Sequence, residues 1–155
     1  MTAGRLGVVA LAVVLLAGCG ASAGTRMPDP SHLPLVSGGR VVEHARKCDS
    51  GSNPFCVIEL VVLGPSYRSS AALLRAQSAR LVRDGWKSTG ADVGEEHAAE
   101  SPGGKLFVSV ATAYADLKAI DLRWINRARP IALALSKSIF DRTPALSIKL
   151  AAGPG

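Results

Sequence analysis

The clearest hydrophobic pattern of the chain lies between residues 56 and 85. Residues 56–63 are apolar at every position except Glu59, and their β-branched content predicts a central strand with both faces largely covered. Gly64-Pro65 stops this run. A helix is then predicted from a serine cap at residue 69 or 70 to about Asp84, because its leucines recur at helical spacing and Gly85 follows.

The second half of the chain combines strand and helix patterns. Trp86 leads into a second, more polar strand, and residues 105–111 alternate apolar with polar positions after a Ser-Pro-Gly-Gly turn, so we expect these two strands to form a hairpin. Residues 117–125 carry apolar side chains at helical spacing, and Pro130 is typical of the first turn of a further helix. Residues 145–150 fit a short strand or a frayed helix end.

These elements predict an α+β fold built as one domain over residues 40–151. We expect a small antiparallel or mixed sheet of about three to four strands, with helices packed on one face and an order near β-α-β-β-α-α-β. The sequence shows no internal repeat.

The N-terminus has a different pattern. Arg5 precedes an almost purely apolar run from Leu6 to Ala17, which has the length of a signal-peptide core rather than of a membrane span. It ends in Leu16-Ala17-Gly18-Cys19, which resembles the lipobox of bacterial lipoproteins. The resemblance implies that residues 1–18 are a cleaved signal peptide and that Cys19 carries a thioether-linked lipid. An ordinary secretory signal, or an uncleaved anchor with a coincidental cysteine, is the alternative.

Residues 19–39 are rich in serine, glycine and proline, a composition that predicts a flexible tether. With the lipid on Cys19, the membrane is the expected partner, and the expected location is the extracytoplasmic face of the cell membrane. Two acyl chains give stable anchoring where one gives only marginal binding.

Two further cysteines, Cys48 and Cys56, are separated by a turn-forming stretch. In an oxidising compartment such a pair predicts a disulfide. The alternative is a metal site formed by His44, Cys48 and Cys56, but the spacing is not that of a paired-cysteine knuckle and a fourth ligand is missing. We therefore predict neither a metal nor another cofactor.

Signatures of catalysis are absent from the sequence. It contains no Gly-x-Ser-x-Gly elbow, His-Glu-x-x-His helix, phosphate-binding glycine loop or Ser-x-x-Lys set, and this disfavours an enzyme. His97 beside Glu95 and Glu96 is the nearest approach to an acid-base or zinc cluster. Neighbours in a strand point to opposite faces, so we interpret these residues as a solvated hairpin arm.

Three other features allow both a functional and a structural interpretation. The loop 64–70 could bind an anion at a helix N-terminus, although most such loops only cap the helix. Glu59 could be a functional carboxylate, but a cross-strand lysine or arginine is the favoured explanation for its place in an apolar strand. Trp86 and Trp124 are expected in the core rather than at a ligand.

The formal net charge of +6 becomes +5 without residues 1–18, which hold one arginine and no acid. This charge could favour an anionic lipid or cell-wall surface, but the arginines of the domain alternate with acids rather than forming a block. Nucleic-acid binding is not expected, because an exported protein meets little nucleic acid and no recognition motif is present. Nothing in the sequence requires an oligomer.

The favoured function is a lipid-anchored envelope protein that acts as a binding or accessory module for an envelope protein or ligand. A small envelope hydrolase or metal-dependent enzyme, and a structural component of an envelope complex, are the alternatives.

Overall fold

The computed structural model describes residues 26–49, 55–90, 95–112 and 141–152. Strands account for most of the regular secondary structure in these ranges, and a single α-helix lies among them. The elements are β1 (Arg40–Asp49), β2 (Phe55–Leu63), α1 (Ser70–Arg83), β3 (Lys87–Ser88), β4 (Glu96–Glu100), β5 (Leu106–Thr112) and β6 (Ala145–Ala152).

All six strands form one sheet in the order β1-β2-β6-β5-β4-β3, and every neighbouring pair is antiparallel. β1 and β2 make an N-terminal hairpin, whereas β3, β4 and β5 make a meander. The last strand, β6, lies between β2 and β5 and joins these two units. The sheet is therefore complete only when the C-terminal strand is in place.

The predicted fold class was wrong. The structure has a six-stranded antiparallel sheet with one helix in the described ranges, not three to four strands covered by several helices. The two missed strands are β1 and β4, whose sequences Arg-Val-Val-Glu-His-Ala-Arg-Lys-Cys-Asp and Glu-His-Ala-Ala-Glu are rich in charge or alanine. Such strands lack the apolar alternation that identifies a strand from its sequence. The helices predicted at residues 117–125 and from Pro130 lie outside the described residues.

Other elements of the prediction are confirmed. β2 is a central strand, buried over all but its first and last residues, and β6 adopts the strand alternative predicted for residues 145–150. The Ser-Pro-Gly-Gly turn precedes β5 as expected, but the hairpin partner of β5 is β4. The strand after Trp86 is the two-residue β3, which pairs with β4 instead.

The main core lies between α1 and one face of the sheet, here called the helix-side face. β2, β5 and β6 each contribute alternate aliphatic side chains to it, and α1 contributes Leu73, Leu74 and Leu81. Trp86 is buried in this core, as predicted, whereas Trp124 lies outside the described residues. Burial of these side chains is the main source of stability for the sheet.

Helix α1 begins and ends where the sequence predicts. The Ser69 hydroxyl accepts a hydrogen bond from the Ala72 N–H at 3.1 Å, which satisfies one of the free donors of the first turn. Gly85 follows the helix with a φ of +82°, a conformation that favours glycine. Gly64, before the helix, has no room for a side chain, because a Cβ there would lie 2.6 Å from Leu73 Cδ1.

Residues 26–39, which fall in the predicted tether, contact the domain. Leu33 and Val36 are buried in the main core. A short 3₁₀ turn at Pro30–His32 is capped by Asp29, which accepts a hydrogen bond from the Ser31 N–H. This backbone hydrogen bond, together with one from the Ser31 side chain, lowers the pKa of Asp29. The chain is thus held against the domain by the time it reaches β1.

Gln77 of α1 holds this segment. Its side chain is fully buried, its Nε2 donates to the Pro34 carbonyl at 2.8 Å, and its Oε1 accepts from the Val36 N–H at 2.9 Å. One amide therefore satisfies a backbone acceptor and a backbone donor that α1 and the sheet do not reach.

Candidate functional site

The sheet face that points away from α1, here called the opposite face, carries a row of polar side chains across its centre. In the strand registers, Glu59 of β2 faces Lys149 of β6, and Lys149 faces Ser109 of β5. Ser147 lies one row away on the same strand as Lys149. The row brings a carboxylate, an ammonium and hydroxyls together, and it is the strongest candidate site in the described part of the chain.

Glu59 lies at the β2 end of this row and is 0% exposed. The Ser147 hydroxyl donates to Glu59 Oε1 over a long distance of 3.5 Å. The cross-strand lysine expected for Glu59 is present at the facing position, as Lys149. Facing Cβ atoms in antiparallel strands are about 5 Å apart, so the two residues are cross-strand neighbours on the opposite face.

The burial of Glu59 limits what this row can do. Its neighbours along β2, Val57 and Val61, are also buried on the opposite face, so an external substrate does not reach the carboxylate in this conformation. The row therefore fits a structural role better than a catalytic one. Buried polar groups in a sheet are usually hydrogen-bonded to each other and help to fix the strand register.

Sequence reasoning identified Glu59 but not Ser147 or Lys149. The sequence does indicate that these two residues share a face. In β6, the alternation of Ala-Leu-Ser-Ile-Lys-Leu places Ser147 and Lys149 on one side of the strand and the leucines and isoleucine on the other. This alternation points to a site with Glu59 only when β6 is known to pair with β2.

His97 lies in β4, paired with Val110 of β5, and is 5% exposed. The interpretation of this segment as a solvated arm was therefore wrong for His97, because β4 is an inner strand of the sheet. Glu96 points to the other face of the same strand and Glu95 precedes the strand, so the three residues do not form one cluster. The described residues contain no group of three metal-ligating side chains.

The loop between β2 and α1 uses its hydroxyls to bind the protein itself. Ser69 caps α1, the Ser70 hydroxyl accepts from the Ala145 N–H at 3.0 Å, and the Tyr67 hydroxyl donates to the Ser37 carbonyl at 3.0 Å. These contacts support the capping interpretation over anion binding. They also tie the start of β6 to the first residue of α1, and the end of the N-terminal segment to the loop before α1.

Cys48 and Cys56 form the predicted disulfide. They occupy facing positions in the β1–β2 register, with Cα atoms 4.0 Å apart, and the bond closes the hairpin next to its turn. His44 is exposed on β1, four residues before Cys48. The two sulfur atoms are bonded to each other, so they do not ligate a metal.

We expect the Cys48→Ser/Cys56→Ser variant to lose about 2.5 kcal/mol of unfolding free energy, since the bridge closes a loop of about nine residues. The variant and the wild type should be compared by urea denaturation with and without dithiothreitol. Dithiothreitol should lower the wild-type midpoint to that of the variant and leave the variant unchanged. Equal midpoints for both oxidised proteins would show that the bridge does not stabilise the fold.

Cys19 lies outside the described residues. Among the described residues, no helix is long and apolar enough to cross a bilayer. No family model matches the chain, and neither a curated protein nor a solved structure matches it.

Proposed function

We propose that the protein is a lipoprotein of the cell envelope, anchored by a lipid on Cys19, whose domain acts as a binding or accessory module on the extracytoplasmic face of the membrane. The lipobox-like segment Leu16-Ala17-Gly18-Cys19 and the apolar run before it are the basis of the anchor.

The disulfide between Cys48 and Cys56 is the structural observation that best supports lipidation at Cys19. The chain has three cysteines, and Cys48 and Cys56 are paired with each other. Cys19 is therefore the one cysteine without a cysteine partner in the chain, and it is the one at the lipobox position. A disulfide is also typical of proteins that fold outside the cytoplasm, which agrees with export.

The choice of a binding or accessory module follows from where the reactive side chains lie. Glu59 and His97 are buried on opposite faces of the sheet, whereas the charged side chains of α1 and β1 are largely exposed. The carboxylate and the imidazole are therefore not brought together in one accessible site, which supports a binding or accessory role over catalysis.

The proposal is tested by growing the native host with an alkyne-tagged fatty acid and isolating the protein. We expect the tag on a peptide that contains Cys19, and we expect the protein in the detergent phase after Triton X-114 separation. An untagged protein in the aqueous phase would contradict the anchor.

A further inference from the structure

The surface of α1 that points away from the sheet is basic and carries no acid. The helix contains three arginines and no acidic residue. Its core side is formed by Leu73, Leu74, Gln77 and Leu81, and its outer side exposes Arg75, Ala79, Val82 and Arg83. These four outer residues are called the arginine face below.

The arginine face has the geometry of a small docking surface. Arg75 and Arg83 are eight residues apart, which places their Cα atoms about 12 Å apart along the axis and on the same half of the helix. The small side chain of Ala79 lies between them, so the helix backbone can approach a partner closely. Val82 is 57% exposed and adds an apolar contact beside the two guanidinium groups.

Among the described residues, no acid forms an ion pair with Arg75 or Arg83. Asp84, at the C-terminal cap, forms an ion pair with Arg80 Nε at 3.0 Å, and Arg80 lies on the flank of the helix rather than on its outer side. The exposed edge strand β1 differs, because its exposed Arg40 and Arg46 are interspersed with Glu43. Within α1, the exposed charges of the arginine face are therefore all positive, in contrast to the mixed charges of β1.

The N-terminal segment brings this helix near the membrane, an argument that rests on the proposed lipid on Cys19. Seven residue steps separate Cys19 from Arg26, so the chain between them spans at most about 25 Å. Leu33 and Val36 of this segment are buried in the core, and Gln77 of α1 bonds to the backbone of Pro34 and Val36. A domain on so short a connection stays within reach of the lipid headgroups, at a high effective concentration.

We propose that the arginine face docks on anionic lipid headgroups and sets the orientation of the domain on the membrane. Guanidinium groups match phosphate oxygens in geometry and charge, and each basic side chain near an anionic bilayer adds to binding. The lipid on Cys19 holds the protein at the membrane, and the arginine face determines which side of the domain faces it.

The test uses the chain from residue 19 onward with Cys19→Ser, so that charge acts without the lipid. Its sedimentation with phosphatidylcholine vesicles is compared with that on vesicles containing phosphatidylglycerol. We expect binding to the anionic vesicles only, and its loss at high salt. Arg75→Gln/Arg83→Gln should weaken this binding about thirtyfold.

The matched control is Arg40→Gln/Arg46→Gln, which removes the same charge from β1 at the far edge of the sheet. We expect it to weaken binding less than about threefold. Equal losses of binding in the two variants would show that only the net charge of the domain matters, and would overturn the proposal. Equal binding of the wild-type domain to both kinds of vesicle would also overturn it. Because this chain carries no lipid, these results are independent of whether Cys19 is modified in the host.

Discussion

Cys19→Ser should abolish fatty-acid labelling of the protein in its native host. A hydroxyl does not replace the thiol in the thioether to which the lipid is attached, so the variant should accumulate as a precursor that retains residues 1–18. If another peptidase removes the leader, the protein should instead leave the membrane fraction. Immunoblotting of membrane and soluble fractions, together with the labelling, measures both outcomes.

The matched control for this experiment is Cys48→Ser/Cys56→Ser, which removes the disulfide and keeps Cys19. We expect this variant to be labelled as strongly as the wild type per molecule of protein, even though it is less stable. Labelling that persists in Cys19→Ser, or that disappears in the control, would show that the lipid is not on Cys19.

Gln77→Leu should lower the unfolding free energy by about 2 to 4 kcal/mol. Leucine has a similar volume, so the loss comes from leaving the Val36 N–H and the Pro34 carbonyl without the hydrogen bonds that Gln77 provides. The N-terminal segment should also detach, and chymotrypsin should then cleave after Leu35. Urea denaturation and limited proteolysis measure the two effects.

Ser78→Ala is the control on the same helix. The Ser78 hydroxyl donates only to the Leu74 carbonyl within α1, and alanine is the better helix former, so we expect a change below about 0.5 kcal/mol. If Gln77→Leu were as stable and as resistant to chymotrypsin as Ser78→Ala, the segment would not be held by Gln77.

The elements that the sequence predicted are those with a strong local pattern. β2 is a nearly unbroken apolar run, and α1 has a serine cap, an apolar stripe and a terminal glycine, so neighbouring residues alone identify them. The cysteine pair was likewise predicted from spacing and compartment, and the structure contains the bridge.

The missed elements depend on contacts between distant parts of the chain. β1 is a charged edge strand, and charge on an edge strand discourages pairing with other molecules while hiding the strand pattern. β4 is rich in glutamate and alanine, which have low strand propensity, and its place in the sheet comes from pairing with β5. Tertiary pairing therefore outweighs local propensity in both strands.

The polar row on the opposite face could also be predicted only in part, because its members come from distant parts of the chain. Glu59 stood out in the sequence because a carboxylate is rare in a buried strand, but the identity of its neighbours depended on the β2–β6 register. The role of Gln77 was harder to predict from the sequence. It is the polar residue on the apolar stripe of α1, and only the path of the N-terminal segment explains it.

One measurement tests the lipid anchor most directly: the intact mass of the protein purified in detergent from its native host. We predict a chain that begins at residue 19 and is heavier than the unmodified polypeptide by a diacylglyceryl group, with or without a further acyl chain. A mass equal to that of the unmodified polypeptide, with a free thiol at Cys19, would contradict the account.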